Sequence, residues 1–285
     1  MTTFSVVTPS RNQVGWLRLA AASVADQAGD SVAVEHLVQD AGSTDGTLEW
    51  LAENPTVGAV SEADEGMYDG VNRGLRRATG EILAYLNCDE QYLPGALARV
   101  AGYFAEHSSV DLVFAGMIVV DGAGEYVCSR KALPPKVLHT RLCHLASFTC
   151  GMFFRRRVLE RGFFFDPSWK SVGDAEWVAR CLEQGIKVGV IEDSLAVFTD
   201  TGENLGDAPA NEIERRRLRA LVPGWVQMFA PWVAWQHRWR RWRWGAYRLV
   251  PFSYAIYTQK EIGQRTEFYV DRPTALWRKR LTLWR

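Results

Sequence analysis

Between residues 4 and 107, short apolar segments alternate with longer segments whose apolar positions recur every three or four residues. The short segments end at polar or glycine-containing turns, which is typical of buried strands. Strands are predicted at residues 4–8, 36–39, 57–61 and 82–86. Helices are predicted at residues 16–27, 47–53, 67–77 and 94–107. This alternation predicts right-handed crossovers and an α/β fold, with helices on both faces of a mostly parallel sheet.

The pattern becomes less regular in the second half of the chain. Further strands are predicted at residues 112–120, 125–128 and 188–191, and a further helix at residues 173–184. Residues 202–209 are mostly small or polar, which is typical of a linker. We therefore expect one α/β domain at residues 1–205 and a mainly helical extension at residues 206–285.

The formal charge of the 285-residue chain sums to zero, because 33 basic residues balance 33 acidic ones. No overall field therefore attracts nucleic acid or membrane. The balance is uneven along the chain, since residues 215–260 contain no Asp or Glu but nine arginines. The extension is thus basic, and the rest of the chain carries the compensating acidic residues.

The five cysteines form no CxxC pair, which argues against a zinc knuckle and a disulfide framework. A reducing compartment suits such a chain. The first residues show no signal-peptide pattern, and no uninterrupted apolar run reaches membrane-spanning length. We expect a cytoplasmic protein that does not span a bilayer.

Polar residues follow the predicted strands, and residues at the carboxyl ends of parallel strands converge on one crevice. They are Thr8, Pro9, Ser10, Arg11, Asp40, Asp64, Glu65, Asn87, Cys88, Asp89 and Glu90. Carboxylates at one sheet edge repel one another, so their burial is costly unless a cation or hydrogen-bond donors offset the charge. Carboxylate oxygens and substrate phosphates are suitable ligands for Mg²⁺ or Mn²⁺, and we expect one of these ions at this edge.

Three ordered segments carry a family resemblance. They are FSVVTPSRN at residues 4–12, VQDAGSTDGT at residues 38–47 and EADEGMYDGVNRGLRRATGEILAYLNCDE at residues 62–90. In order and spacing they resemble the family 2 glycosyltransferases, especially the bacterial branch that builds surface polysaccharides or exopolysaccharides. The resemblance covers roughly residues 3–200. It implies a GT-A fold with a Rossmann-like sheet. It also implies transfer of a sugar, with inversion of configuration, from a nucleoside-diphosphate donor to a saccharide or lipid-linked saccharide acceptor. A UDP-sugar is the favoured donor.

The resemblance also implies roles for individual residues. In the donor pocket, Thr8 and Pro9 would line the nucleotide site beside Arg11, Asp40 would bind the base, and Asp64 and Asp69 would border the ribose and sugar. Asn87, Cys88 and Asp89 stand where the family has its metal-binding motif, with Asp89 as the expected direct ligand and Glu90 beside it. Asn87 is accordingly counted with the donor-binding residues.

The segment from Gly173 to Glu176 resembles the later acidic motif, in which the family has its catalytic base. Asp174 and Glu176 are two residues apart, so on a helix they point about 200° away from each other and only one faces the acceptor. We favour Asp174, because Glu176 can pair with Arg180 one helical turn later.

The chain also departs from the family pattern. Ala41 replaces an acidic residue of the second segment, Asn87 replaces the first acid of the metal motif, and Glu90 stands at its last position. Val71 occupies the position where many relatives have an arginine, and a phosphate contact from Arg73 is not expected. A non-catalytic nucleotide-sugar-binding or scaffold protein is therefore an alternative. A nucleotidyltransferase is less favoured, because the first strand is not followed by a glycine-rich loop with a lysine.

The extension contains aromatic residues at three- and four-residue intervals, flanked by arginines. They are Trp225, Phe229, Trp232, Trp235, Trp239 and Trp242. A basic helix with such a stripe is typical of attachment to an anionic membrane, and we expect residues 225–248 to bind the inner face of the cell membrane. Pro231 should interrupt the stripe. Packing or an oligomer contact is the alternative, and no nucleic-acid partner is expected.

The five histidines show no spacing of metal ligands along the chain. We expect them to serve as surface or packing residues. Residues 131–152 should form part of the acceptor site, but they match no chemical motif.

Overall fold

The computed structural model describes residues 1–202 and 210–277. Its strands are β1 (Thr2–Ser10), β2 (Val32–Asp40), β3 (Gly58–Ser61), β4 (Ile82–Tyr85), β5 (Glu90–Tyr92), β6 (Leu112–Asp121), β7 (Tyr126–Arg130), β8 (Met152–Arg155), β9 (Val188–Asp200), β10 (Phe252–Thr258) and β11 (Glu261–Val270). Its helices are α1 (Val14–Ala25), α2 (Thr47–Glu53), α3 (Met67–Arg77), α4 (Ala96–Glu106), α5 (Val137–Leu142), α6 (Arg157–Glu160), α7 (Gly173–Glu183), α8 (Ala210–Ala220), α9 (Gly224–Gln227) and α10 (Ala230–Arg243). The predicted boundary at residues 205 and 206 lies outside the described residues.

A nine-stranded sheet forms the centre of the molecule, in the order β3-β2-β1-β4-β8-β6-β9-β5, with β7 paired to β6. The first four strands are mutually parallel, and β6 is parallel to β9. Strand β8 runs antiparallel between β4 and β6 and joins the two parallel groups. This sheet confirms the predicted α/β architecture with a mostly parallel sheet.

The core lies on both faces of the sheet, because consecutive residues of a strand point to opposite sides. In β1, Val6 packs in a cluster with residues of α1 and α4, whereas Val7 packs in a cluster with residues of α3 and α7. Both valines are fully buried. Two covered faces require buried residues on both sides of a strand, and β4 is accordingly apolar at all four positions.

The strand register brings the predicted site residues to one edge. Ser10 at the end of β1 is opposite Asp40 at the end of β2. On the other side of β1, Val7 is opposite Tyr85 at the end of β4, and the amide of Leu86 donates to the Val7 carbonyl at 2.9 Å. The loops after β1, β2 and β4 therefore begin side by side, as parallel pairing dictates.

The end of the extension differs from the predicted helical structure, because β10 and β11 form an antiparallel hairpin. Tyr254 and Ile256 alternate with more exposed residues and pack on Ile118 and Val120 of β6. Arg265 of the hairpin holds Asp26 of the first domain with two hydrogen bonds of 2.6 and 2.9 Å. The hairpin therefore packs on the large sheet and also contacts the end of α1.

None of the helices in the described part of the chain is both long enough and apolar enough to span a bilayer.

Candidate active site

A cavity of about 520 Å³ opens at the carboxyl edge of β1, β2 and β4. Seven of the residues predicted from the sequence line it, namely Pro9, Arg11, Asp64, Asn87, Asp89, Glu90 and Asp174. The acids of the first domain and the acid at the start of α7 are separated by about a hundred residues in sequence, and the fold brings them to one cavity. Four other predicted residues, Thr8, Asp40, Asp69 and Glu176, do not line it.

Thr8 and Asp40 lie behind the cavity wall and are completely buried. The Thr8 hydroxyl is 2.9 Å from Nε2 of His36. The Asp40 carboxylate accepts hydrogen bonds from the amides of Gly42 and Ser43 at 3.0 and 2.9 Å and from the hydroxyls of Ser43 and Ser61. Asp40 thus shapes the loop that follows β2, and its contact with a donor base stays a prediction.

Asp64 and Asp69 hold the segment that leads into α3. Asp64 lines the cavity and accepts a hydrogen bond from the amide of Gly66 at 2.9 Å. Asp69 forms an ion pair of 2.8 Å with Arg73 and accepts the amide of Glu65 at 3.1 Å. Partial burial would raise the pKa of Asp69, but these two contacts outweigh it, so the pKa is lowered. Arg73 is occupied by acids of its own segment and does not line the cavity.

The turn from Asn87 to Glu90 is closed by the Glu90 side chain. One carboxyl oxygen of Glu90 accepts the backbone amide of Asn87 at 2.9 Å, and the Glu90 amide donates to the Asn87 carbonyl at 3.1 Å. Glu90 is almost completely buried, and this burial, together with the charge of Asp89, raises its pKa to about 8. The turn therefore places two carboxyl groups side by side, and Glu90 keeps its proton at neutral pH next to Asp89.

The donor set suits a hard divalent cation that also binds substrate oxygens. Asp89 is partly exposed at the cavity wall. Among the described residues, the cavity acids do not form a group of three protein ligands within reach of one ion. Mg²⁺ sites commonly use one or two carboxylates and complete their coordination with water and substrate phosphates. The residues present fit that kind of site, since Asp89 offers one carboxylate at the wall of a cavity that has room for water and substrate phosphates.

Asp174 lies at the first turn of α7 and faces the cavity. Its Oδ1 accepts the amide of Ala175 at 2.8 Å and is 3.4 Å from the hydroxyl of Tyr68. Burial raises the pKa of Asp174 to about 6, although these contacts and the charge of Arg215 act to lower it. A carboxylate with this pKa is ionised at neutral pH and more basic than an exposed aspartate.

Tyr68 is positioned next to Asp174 by close packing that the sequence did not reveal. Its ring stacks on Phe165, with centroids 5.6 Å apart. A Cβ atom at Gly173 would come within 2.6 Å of the Tyr68 ring, so glycine is needed at this position. The Tyr68 hydroxyl accepts the amide of Asp174 at 3.0 Å. These contacts fix the start of α7 against α3.

Glu176 points away from the cavity. Its carboxylate binds Arg180 with two hydrogen bonds of 2.9 and 3.1 Å. This geometry agrees with the choice of Asp174 over Glu176, although the catalytic role of either residue stays a prediction.

The extension contributes residues that sequence reasoning did not assign to the site. Asn211, Arg215 and Leu218 of α8 line the cavity, as does Trp277. Glu214 accepts the amides of Lys170, Ser171 and Val172 at 2.6, 2.8 and 2.9 Å. These amides belong to the segment that leads directly into α7. Helix α8 therefore holds the loop that carries Asp174. The contact joins residues more than forty positions apart, and no local motif predicts it.

Three histidines that were expected to be unrelated come together. His139, His144 and His237 have potential ligand atoms within 4.8 Å of one another. The rings of His139 and His237 stack at 3.8 Å with an angle of 20°, so their lone pairs lie in nearly parallel planes and do not converge. Burial, and next the charge of Arg240, lowers the pKa of His139 to about 4. This neutral cluster packs α10 on α5, and the neighbouring arginine disfavours a cation.

Residues 5–163, more than half of the chain, match the family model described as Glycosyl transferase family 2. The chain belongs to this family. The matched region contains the strand-end residues and the turn with Asp89, and it ends before α7. The matched region thus includes the part of the cavity wall that is formed by the loops after β1 and β4.

Related family members come from several bacteria. An uncharacterized glycosyltransferase of Nostoc sp. is 26% identical over 214 residues, which are 70% of this chain and 65% of that protein. A PGL/p-HBAD biosynthesis glycosyltransferase of Mycobacterium bovis is 30% identical over 187 residues, 63% of this chain and 69% of that protein. The poly(ribitol-phosphate) beta-N-acetylglucosaminyltransferase TarS of Staphylococcus aureus is 25% identical over 234 residues, 78% of this chain and 40% of TarS. The chain therefore spans only part of each relative.

Solved structures share the fold of this family 2 chain. A TarS structure in complex with UDP-GlcNAc superimposes with a TM-score of 0.58 and 19% identity, over 77% of this chain and 66% of that one. The mannosyltransferase PcManGT of Pyrobaculum calidifontis, in complex with GDP-Man and Mn²⁺, gives a TM-score of 0.52 and 19% identity, over 81% of this chain and 73% of that one. These likenesses confirm the GT-A fold.

Proposed function

We propose that this family 2 protein is a metal-dependent, inverting glycosyltransferase. It transfers a sugar from a nucleoside-diphosphate donor, with a UDP-sugar favoured, to a saccharide or lipid-linked saccharide in the synthesis of a cell-surface polysaccharide or exopolysaccharide. One observation carries the proposal: a single cavity is lined by Asp89, in the turn after β4, and by Asp174, a partly buried carboxylate with a raised pKa. Asp89 is suited to hold a metal ion at the leaving diphosphate, and Asp174 is suited to take the proton of the acceptor hydroxyl.

The donor side lies at the ends of β1 and β4. Pro9, Arg11 and Asn87 line this part of the cavity, and Asp64 borders it from the α3 side. Related structures were solved with UDP, UDP-GlcNAc and GDP-Man, which supports a nucleotide-sugar donor for this chain as well. Arg11 is a cationic residue of the cavity wall on this side, and we assign it to the donor diphosphate.

The metal side of the proposal rests on Asp89, with Mn²⁺ or Mg²⁺ as the ion. The Mn²⁺ in the PcManGT structure supports this choice. When bound, the ion neutralises charge on the departing diphosphate. Glu90, which the sequence suggested as a neighbouring ligand, has its carboxyl group engaged with the Asn87 amide. Its part is to hold the turn that presents Asp89.

Asp174 acts as the base. It takes the proton of an acceptor hydroxyl while the acceptor oxygen bonds to the anomeric carbon of the donor sugar. The bond between that carbon and the diphosphate oxygen breaks on the opposite face, so configuration inverts in one displacement. The pKa of about 6 leaves Asp174 ionised at neutral pH, and such general base catalysis contributes roughly 10²- to 10⁴-fold to the rate.

The acceptor side is formed by two parts of the chain. His144, Leu145, Ser147 and Phe148 line the cavity, as expected for residues 131–152. Arg215 and Leu218 of α8 lie on the same cavity.

Five free cysteines support a reducing, cytoplasmic location, where nucleotide-sugar donors would be used.

The test is a turnover assay with a panel of nucleotide sugars and Mn²⁺, in which release of nucleoside diphosphate and glycosylated product are both measured. Product formation that needs Mn²⁺ and is lost in Asp174→Asn is the expected result, and the anomeric configuration of the product reports inversion. Retained configuration would refute the single displacement. Product formed equally well without any divalent ion would refute the role of Asp89.

A non-catalytic nucleotide-sugar-binding protein is the second candidate. It is favoured by Ala41 and Asn87, which replace acids of the family pattern, and by the engagement of Glu90 inside the turn. Donor binding by calorimetry, without turnover for any donor and acceptor tested, would be the result expected of such a protein.

A further inference from the structure

The end of α9 and the length of α10 expose an unusual number of aromatic side chains. Trp225, Phe229, Trp232, Trp235, Trp239 and Trp242 are between 44% and 69% exposed. We call these six residues the aromatic face. A single exposed aromatic residue is ordinary on a protein surface, but a contiguous set marks a surface that binds something.

Three tryptophans of the aromatic face lie on the side of α10 that points away from the protein. Val233 and His237 are the buried residues of this helix, at 4% and 6% exposure, and pack towards α5. At about 100° per residue, Trp235, Trp239 and Trp242 lie roughly 180° to 240° around the helix axis from Val233. Packing of α10 on the catalytic part of the chain thus uses one side of the helix and leaves the tryptophans outside.

Pro231 lies where the aromatic stripe is divided between α9, which ends at Gln227, and α10, which begins at Ala230, as expected from the sequence. It occupies the first turn of α10, where proline is compatible with a helix because its missing amide has no partner in the helix anyway. The helix from Ala230 to Arg243 is continuous. The stripe of α10 is therefore intact.

Basic residues flank the tryptophans on both sides. Arg238 and Arg243 are exposed and, at about 100° per residue, lie roughly 140° and 280° from Val233 around α10. No Asp or Glu occurs between residues 215 and 260. The surface therefore combines aromatic rings with uncompensated positive charge, and it complements an anionic partner.

We propose that the aromatic face is the site at which this protein binds the surface of an anionic lipid bilayer. Helix α10 lies in the plane of the membrane, the tryptophan rings enter the headgroup region, and Arg238 and Arg243 contact lipid phosphates. A second copy of this chain is a poorer occupant, because a symmetric contact would bring the two arginine-rich faces together. Nucleic acid would match the charge but would leave most of the indole surface without an apolar partner.

Membrane binding of this kind would also bring the cavity close to the membrane surface. Helix α8 lines the cavity with Arg215 and Leu218 and is joined to α10 through residues 221–229. A saccharide that is carried on a lipid would be presented at the same membrane. The binding surface itself is inferred from exposure and charge and does not depend on the glycosyltransferase proposal.

The experiment is co-sedimentation of the full-length protein with vesicles of phosphatidylcholine alone and of phosphatidylcholine mixed with phosphatidylglycerol. We expect binding to the mixed vesicles at low salt and release at 1 M salt, where the Debye length falls to about 3 Å. The triple variant Trp235→Ser, Trp239→Ser, Trp242→Ser should bind at least about tenfold more weakly, because interfacial binding scales with the apolar area that is buried. Tyr269→Ser is the matched control, since Tyr269 is 69% exposed on the hairpin, and it should bind like the wild type.

Two further measurements separate loss of the surface from loss of the fold. The double variant Arg238→Glu, Arg243→Glu keeps every tryptophan and should also lose binding to anionic vesicles, and each variant should keep the wild-type circular dichroism melting curve. Brominated lipids should quench tryptophan fluorescence in the wild type but much less in the triple variant. Failure of the wild type to sediment with anionic vesicles at low salt would overturn the proposal. So would a wild-type dimer that the tryptophan substitutions convert to a monomer, or binding to RNA with no binding to vesicles.

Discussion

The turn from Asn87 to Glu90 and the start of α7 each carry two acidic side chains, but they balance the charge of those side chains differently. In α7 the second acid, Glu176, is paired with Arg180, and Asp174 faces the cavity. In the turn the second acid, Glu90, accepts a backbone amide, and burial and the charge of Asp89 nevertheless raise its pKa to about 8. In α7 the second acid is neutralised by an ion pair, which leaves Asp174 as the base, whereas in the turn the second acid keeps its proton, which leaves Asp89 as the charged ligand for a cation.

The largest effect is expected from the α7 segment. Asp174→Asn removes the base while keeping the size of the side chain, so kcat should fall at least about a hundredfold. Donor affinity, measured by calorimetry, should not change. In the wild type, kcat/KM should rise with pH through about 6, because Asp174 must lose its proton to act, and this step should be absent from the residual activity of Asp174→Asn.

Glu176→Gln is the matched control for Asp174→Asn. It should change kcat only slightly, since Glu176 faces Arg180 and not the cavity. If Glu176→Gln lowers kcat a hundredfold and Asp174→Asn does not, the assignment of the base is reversed.

A smaller effect is expected from the turn, and it should appear in binding. Asp89→Ala should weaken Mn²⁺-dependent donor affinity at least about tenfold. Loss of a residue that only supports a metal ligand already lowers metal affinity or activity by about tenfold or more. Glu90→Gln keeps an acceptor for the Asn87 amide and should retain most of the metal dependence. Equal losses in the two variants would make both acids ligands, and unchanged affinity in Asp89→Ala would remove Asp89 from the metal site.

Glu214→Ala should lower kcat less than Asp174→Asn does, and it tests whether α8 helps to position Asp174. Glu214→Ala leaves the amides of Lys170, Ser171 and Val172 without this acceptor. The loop before Asp174 should then be less well positioned, and kcat should fall several-fold while donor affinity is retained. The matched control is Glu212→Ala on the exposed side of α8, which should leave kcat unchanged.

The smallest expected effects concern stability. Folded Glu90 keeps its proton to about pH 8, whereas the unfolded chain releases it near its ordinary pKa of 4.5. The folded state thus binds more protons in this window, and the contribution of Glu90 to the free energy of unfolding falls as pH rises from about 4.5 to 8. Urea denaturation of Glu90→Gln should therefore show a flatter pH dependence than the wild type. An unchanged pH profile of stability in Glu90→Gln would contradict the raised pKa of Glu90.

Glu176→Gln should instead lower the free energy of unfolding by about 1 kcal/mol at neutral pH, through loss of its ion pair.

The sequence revealed the features that depend on local pattern. The parallel strands β1, β2 and β4 follow from apolar segments, and the residues after them meet because parallel strands end at one edge. Glu176 faces Arg180 because of helical periodicity alone. The contacts that were missed join distant segments: Glu214 with the loop before α7, His139 with His237, and the hairpin with β6. No residue type or spacing in one segment identifies such a partner in another.

The most direct test of the central claim is the thermal stability of the wild type and Asp89→Ala with a panel of nucleoside diphosphates, with and without Mn²⁺. A ligand at a hundred times its dissociation constant stabilises the folded state by about 2.7 kcal/mol. The account predicts a rise in Tm for at least one nucleoside diphosphate that requires Mn²⁺ in the wild type and is absent in Asp89→Ala. No rise with any nucleotide in the wild type, or the same rise without Mn²⁺, would contradict it.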